Sequence, residues 1–469
     1  MKKLLLVLLC LPLINLAQFN RLDLASKSSI DNIINVHKAA NNWVGMSIGI
    51  IKDGEIAFLD GYGLADKSGI AANEHSVYRL GSMSKCFTGV LTLKLIEMGL
   101  LNLHDSVYQI VPEFLGSSIT IMGFRKRQIT IEHLLSNESG LNNFNDCDTP
   151  ITCSLLDAAA RTNYINSHGN FYDPIAAVDI FSNQTIFFTP GSAYLYSTQG
   201  FNLLAAVIER VSNSTYQDFL FDNIACPMNM PTLQIEFQDR VPYNYEVTGY
   251  EYTDTCGTST QNQSNGDISY FTGGGGLNGS VIDVSLFMKG LINNTLLNDT
   301  TVTFMGTEHD TTYDFVSGSL SKYGYGICQE KYSGDSILQH SGSVKKTSTR
   351  MYFSPESNNG VVVMFNTYHV NNCSTNTKRL CKDIYNVISS SSLSSSSPVF
   401  SPLLNTWDVP PTSTHINPGT YESNYRINST GQVQSGDITQ LKANKKIYLK
   451  TGFEALQGAD FKAKVNNCD

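Results

Sequence analysis

The chain has 469 residues, a formal net charge of −9 and 41% hydrophobic residues, an ordinary globular composition long enough for one large domain and a small one. The acidic balance argues against a nucleic-acid surface, which needs clustered Lys and Arg. Lys2 and Lys3 precede a short apolar run over residues 4–13, and Asn15-Leu16-Ala17 ends it with a small residue. Residues 1–17 therefore read as a secretory signal peptide, which places the mature protein outside the cell, in the periplasm or at the cell surface. The run is too short to span a bilayer, and no later segment is apolar enough, so no membrane span is expected. Leu9 stands before Cys10 where a lipoprotein signal needs a small residue. The signal has bacterial character, so sequons such as those at Asn183 and Asn213 read as composition. Export permits disulfides. Of the ten cysteines, Cys147 with Cys153 and Cys373 with Cys381 are plausible local pairs, although spacing alone leaves connectivity open. Cys86 lies on an apolar run and reads as a packed free thiol.

In chain order, Met46-Ser47-Ile48-Gly49-Ile50-Ile51, the turn signal Lys52-Asp53-Gly54 and Glu55-Ile56-Ala57-Phe58-Leu59 predict a β-hairpin. Residues 83–98 carry Phe87, Val90, Leu91, Leu95 and Ile96, a largely buried helix. Residues 131–135, 201–211 and 281–292 read as further helices, and 337–343, 349–353 and 360–365 as strands. Strands, a long and mostly helical middle, then strands again predict an α+β fold with an antiparallel sheet whose partners lie far apart in sequence. The main domain is expected over 18–388. Nearly continuous serine from 389 predicts a flexible linker over 389–405. Residues 425–465 are polar, alternating and punctuated by Gly431, Gly436, Gly452 and Gly458, which predicts a small all-β module over 406–469. No long internal repeat is evident.

Ser82-Met83-Ser84-Lys85 carries the chemistry. Ser-x-x-Lys on a helix sets both side chains on one face, one turn apart. A serine hydroxyl is a weak nucleophile that needs a base and oxyanion donors, and a lysine serves as base where burial and neighbours lower its pKa. The bare pattern is weak, since it recurs at 319–322 and 343–346. Only the first copy follows a hairpin and opens an apolar helix.

The segment Arg79-Leu80-Gly81-Ser82-Met83-Ser84-Lys85-Cys86-Phe87-Thr88 resembles the nucleophile motif of the serine β-lactamase and penicillin-binding-protein family, most strongly its class C-like branch. The resemblance continues in order through Ile129-Thr130-Ile131-Glu132-His133-Leu134-Leu135, Ser139-Gly140-Leu141, Phe188-Thr189-Pro190-Gly191, Tyr194-Leu195-Tyr196-Ser197-Thr198, the glycine-rich turn 273–277 and His340-Ser341-Gly342. Asn366 ends an apolar run as in many members. The likeness covers roughly residues 30–388. It implies a β-lactamase/transpeptidase-like antiparallel sheet flanked by helices, with a large helical subdomain. It also implies Ser82 as nucleophile, Lys85 as its partner base, Tyr196 beside both as phenolate or relay, and backbone N–H groups of Ser82 and Ser343 as the oxyanion hole. Ser341, Gly342 and Thr198 would line the substrate site, and no metal or other cofactor is required. His133 would be structural, opening a packed helix.

Departures bear on substrate. Thr198 stands where most members have Asn, and threonine is shorter and lacks an N–H donor. His340 stands where most members have the Lys that holds a substrate carboxylate, and an unperturbed histidine is mostly neutral at about pH 7. Both changes occur in branches of esterases and peptidases, and the run 196–204 looks like the β-lactamase-like peptidase of animal mitochondria. Lys345-Lys346 reads as a solvated pair, or as cations favouring an anionic substrate. These features imply a secreted serine hydrolase acting on a small ester or peptide. D-alanyl-D-alanine carboxypeptidase or β-lactamase activity is the alternative, and a catalytically inert binding or assembly module is the alternative of another class. Ile447-Tyr448-Leu449-Lys450-Thr451-Gly452-Phe453 and 458–465, with the late Cys468, resemble a β tail module of exported proteins of the Bacteroidetes type, which serves either as a solubilising tail or for attachment and secretion. Oligomeric state is open.

Overall fold

Runs rich in Ile, Val and Phe suit a pleated, buried surface, and they pair into a single antiparallel sheet. The computed structural model describes residues 19–115, 125–143, 173–182, 186–236, 245–252, 260–262, 268–307, 323–344, 347–368 and 375–393, together with the backbone of nine short strands between 406 and 465. The main strands are β1 (Phe19–Asn20), β2 (Gly45–Lys52), β3 (Glu55–Asp66), β4 (Cys328–Tyr332), β5 (Asp335–Val344), β6 (Thr347–Ser354) and β7 (Asn359–Phe365). Their order is β1-β3-β2-β7-β6-β5-β4, with Ile70–Ala71 as a short extra strand against β3. The hairpin turns at Asp53-Gly54, and β2 pairs with β7 from Met46 to Ile51 against 360–365, which joins the two ends of the domain. Asn366 seals that join: its Oδ1 accepts from Gly45 N at 2.9 Å and its Nδ2 donates to Leu64 O at 2.9 Å.

Both faces of the sheet are buried, so its side chains alternate between two cores. Val361, Val363 and Phe365 pack with Ile30 and Ile34 of α1 (Leu24–Asn41) and with Leu380 and Ile384 of α6 (Thr375–Ser390). Val362 and Met364 face the larger core, which holds α2 (Ser84–Glu97), α3 (Ile131–Leu135), α4 (Thr198–Ser212) and α5 (Val281–Ile292). Residues 84–93 of α2 are all buried, so this helix is the centre of the domain. Phe87 stacks on Phe287 of α5 with ring centroids 3.9 Å apart. His133 closes a capping box at the start of α3, where Thr130 N donates to its Nδ1 at 3.2 Å. That is a structural use of the imidazole, in line with the resemblance.

Two expectations are corrected. Cys381 is a free, buried thiol on α6, packed among Leu380, Ile384 and Tyr385, so the pairing of Cys373 with Cys381 does not form. Cys226 is disulfide-bonded instead. The C-terminal strands contain the repeat that the sequence does not display. Thr406 pairs with Arg426 and Arg426 with Lys446, while Gly419 pairs with Thr439 and Thr439 with Phe461, all parallel. Each coil therefore returns after about twenty residues, as in a β-solenoid. Partners such as Gly419, Thr439 and Phe461 share no chemistry, which hides the period.

Cys86 is free and buried as expected, with Sγ 3.0 Å from Gly326 O. Ser389 and Ser390 complete α6, and Leu393 bridges Leu22, so the chain packed on the sheet runs to 393. Residues 1–17, 394–405, Cys147, Cys153, Asn183, Lys345 and Lys346 lie outside the described residues. Among the described residues, no helix is long and apolar enough to cross a membrane.

Candidate active site

Ser82 sits in a tight turn (Gly81–Met83) that runs directly into α2. The turn is fixed from three sides. Tyr78–Arg79 pairs with Leu277–Gly279, and the buried Arg79 places Nη2 2.7 Å from Glu236 Oε1, while Glu236 Oε2 accepts from Asn278 Nδ2 at 2.6 Å. From β6, Thr347 Oγ1 donates to Arg79 O at 2.6 Å and Thr349 Oγ1 to Leu80 O at 2.8 Å. From β5 the backbone itself approaches. A Cβ on Gly342 would stand 1.8 Å from Leu80 O, and one on Gly81, whose φ is +55°, would stand 2.9 Å from Ser343 N. Glycine at 342 is what lets β5 lie against the serine turn, and glycine at 81 supplies the left-handed residue beside the Ser343 amide.

Lys85 follows one turn later and is fully buried. Its Nζ lies 3.1 Å from Ser82 Oγ, 3.2 Å from Thr198 Oγ1 and 2.5 Å from Gly274 O, and 4.7 Å from the Tyr196 ring centroid. Burial pushes the ammonium down to about 7, against a small opposing pull from Cys86. Gly274 reaches it because the glycine-rich turn wedges between α2 and α4. Thr88 Oγ1 donates to Gly273 O at 2.7 Å, and Gly274 N donates to Asn202 Oδ1 at 2.9 Å.

Tyr196 and Thr198 are set by the cap of α4. Ser197 Oγ accepts from Gly200 N at 3.1 Å and donates to Asn142 O at 2.8 Å. Ser197 N donates to Asn137 Oδ1 at 2.9 Å and Thr198 N to Asn143 Oδ1 at 3.1 Å. The segment 137–143 after α3 is therefore the support of this edge of the site. Thr198 is shorter than the Asn of most relatives, yet its hydroxyl still reaches the lysine.

His340 is buried on β5. Its Nδ1 is 2.6 Å from Ser341 O and its Nε2 3.0 Å from Tyr323 OH. A carbonyl only accepts, so Nδ1 carries the proton and Nε2 accepts from the tyrosine. Burial, then the Lys85 charge, push the imidazole down to about 3, with Arg350 adding to the effect and Ser341 O opposing it. The imidazole is therefore neutral across ordinary pH. Tyr194, Tyr196 and Tyr323 form the surrounding wall: the Tyr323 centroid is 5.9 Å from Tyr194, 6.0 Å from Tyr196 and 5.7 Å from His340.

Of the eight residues singled out in the sequence, Ser82 and Lys85 come from the serine turn and the first turn of α2, Tyr196 and Thr198 from the start of α4 and the residues before it, and His340, Ser341, Gly342 and Ser343 from β5. Ser82, Tyr196, Thr198 and Ser341 are half-buried and Ser343 is exposed, whereas Lys85, His340 and Gly342 are buried. Tyr323, Asn143, Thr347 and Thr349 were missed. The alternation Tyr323-Gly324-Tyr325-Gly326 was a usable signal for the first, since glycines between aromatics mark close backbone packing. Here a Cβ on Gly326 would meet Lys85 O at 2.8 Å. Among the described residues no group of His, Cys, Asp and Glu could hold a metal ion.

An antiparallel sheet covered by helices on both faces, with a serine and a buried lysine one turn apart at the start of its central helix, defines a β-lactamase/transpeptidase-like protein. The Beta-lactamase family model matches residues 30–383, and the chain belongs to this family. It is 25% identical over 347 residues to Protein flp of Staphylococcus aureus (strain MW2), a match covering 74% of this chain and 64% of that protein. It is 27% identical over 297 residues to the mitochondrial serine beta-lactamase-like protein LACTB of Homo sapiens, covering 53% of each. The chain therefore spans less than two thirds of the length of these curated relatives. The octameric penicillin-binding protein homologue from Pyrococcus abyssi superposes with a TM-score of 0.58 at 25% identity, covering 72% of this chain and 73% of that one.

Proposed function

We propose that the protein is a serine hydrolase that forms an acyl-enzyme on Ser82 and hydrolyses an ester or peptide bond. The observation that carries this reading is the buried Lys85 Nζ 3.1 Å from Oγ of the half-buried Ser82, with burial lowering the lysine to about 7. A neutral Lys85 has two N–H groups and a lone pair. Gly274 O can only accept, and the Thr198 hydroxyl can accept the second N–H, which leaves the lone pair for the Ser82 proton. Ser82 Oγ then bonds to the substrate carbonyl carbon as its proton passes to Lys85 Nζ. The carbonyl oxygen takes the negative charge, facing the N–H groups of Ser82 and Ser343. Collapse breaks the bond to the leaving group, which receives the proton through Tyr196. Water repeats the sequence on the acyl-enzyme, releases the acid and returns the proton to Ser82. The neutral His340 favours an ester or peptide over a substrate held by its free carboxylate. The N-terminal segment 1–17 supports action outside the cell or in the periplasm, and the C-terminal module is assigned no catalytic role.

The test is turnover of a p-nitrophenyl ester, an L-peptide anilide, a D-Ala-D-Ala peptide and a chromogenic cephalosporin, with Ser82→Ala as control. Ester or L-peptide cleavage that vanishes in the control is the expected result. Preference for the D-Ala-D-Ala peptide or the cephalosporin would place the protein with the cell-wall enzymes. Absence of turnover on all four would favour an inert binding module.

A further inference from the structure

His340 is surrounded in a way that its replacement of lysine does not by itself dictate. A histidine at a carboxylate-binding position could still offer an N–H, or a charge below about pH 6.5. Here neither nitrogen is available. The Nδ1 proton goes to Ser341 O in the same strand, 2.6 Å away, and Nε2 takes the Tyr323 hydroxyl at 3.0 Å. Tyr323 is itself buried, and burial raises its phenol well above the usual range, so it remains a donor.

We propose that Tyr323 is the specificity-determining partner of His340. By donating to Nε2 it fixes a neutral imidazole with no N–H left for substrate, so the subsite takes an uncharged group, an ester or an amide, and rejects a terminal carboxylate. This rests on the reading of Ser82 as the nucleophile. Tyr323 acts through His340 and is a positioning residue.

The charged groups around His340 reinforce the same state. Lys85 on α2, and Arg350 from the opposite face of the sheet, both oppose a second positive charge. Arg350 is anchored by Gln339 Oε1 at 2.6 Å and Thr377 Oγ1 at 3.1 Å, and Tyr196 and Tyr323 contribute neutral rings. Removing the Tyr323 hydroxyl leaves Nε2 without its donor. The imidazole can then change tautomer or bind a proton, and either gives it an N–H for an anionic group.

The test uses the full chain and has two readouts. The first is heteronuclear NMR of the His340 imidazole, assigned by its loss in His340→Gln. The wild type is expected to stay neutral with the proton on Nδ1 down to about pH 5, whereas in Tyr323→Phe the titration moves up by at least about one unit. A wild-type imidazole that titrates near its ordinary value, or carries its proton on Nε2, overturns the proposal without any variant being needed. The second readout is the ratio of kcat/KM for an N-acyl dipeptide with a free carboxylate to that for its methyl ester. In Tyr323→Phe this ratio is expected to rise about tenfold at about pH 6, through KM rather than kcat. An unchanged ratio in a variant that still labels at Ser82 also overturns it. Failure of wild-type Ser82 to label would sink the hydrolase reading, while the NMR titration would still decide the lock on His340.

Discussion

Replacing Lys85 with methionine is expected to lower ester hydrolysis by about a hundredfold to ten-thousandfold. General-base assistance to a serine is worth about two to four orders of magnitude, and Lys85 Nζ is the amine that lies 3.1 Å from Ser82 Oγ. The same group sets the pH dependence. Lysine is a base only when neutral, and burial brings Lys85 down to about 7, so wild-type kcat/KM rises as pH passes upward through about 7. Stability follows with a defined sign. The unfolded lysine keeps its ordinary value of 10.5, so between about 7 and 10.5 the unfolded chain binds more protons than the native one. Native stability therefore increases with pH across that window, and the full penalty of the buried ammonium is felt below it. Lys85→Met lacks this term. Its thermal midpoint should gain on the wild type at low pH and lose that advantage as pH rises from about 7 to about 10. Thermal melts of the two proteins at several pH values check this. A wild-type rate that is flat across about pH 7 would count against Lys85 as the base.

Gly342→Ala is expected to lower kcat/KM about a hundredfold or more and to destabilise the protein. The added methyl would stand 1.8 Å from Leu80 O, a backbone atom, and 2.4 Å from Thr349 Oγ1. Neither can withdraw cheaply, since Leu80 O is the acceptor of Thr349 and Leu80 N is tied to Leu277 O at 2.8 Å. Overpacking of this kind costs about 1–3 kcal/mol or more. It also moves β5, and with it the Ser343 amide, away from the serine, and a displacement of about 1 Å at a reacting centre costs about a hundredfold. The measurements are kcat/KM on the ester and the thermal midpoint. Normal activity in this variant would mean that β5 does not form the wall of the site.

The main helices and strands were legible because their patterns are unambiguous. The runs at 281–292 and 360–365 have one period each and a buried partner on every side, and Ser280 adds a capping box at the start of α5. The candidate site was legible through ordered motifs, since Ser82 and Lys85 are bound together by helix geometry alone. The partnership of Tyr323 with His340 was not legible, because it depends on a segment that only the fold brings against β5. The support of the serine turn by Thr347 and Thr349 was hidden in the same way, as a hydroxyl on a strand reads as ordinary β propensity. The C-terminal repeat escaped for another reason. A solenoid constrains backbone register more than residue identity, so Ile438 can pair with Asp460 and Leu441 with Ala463 without an audible period.

Acylation of Ser82 with Lys85 as its base is the central claim. Mass spectrometry of the full chain after exposure to a fluorophosphonate tests it most directly. One covalent adduct is predicted, mapped to the peptide carrying Ser82, absent in Ser82→Ala and formed far more slowly in Lys85→Met. A protein that takes up no label, or takes it up equally in Ser82→Ala, would contradict the account.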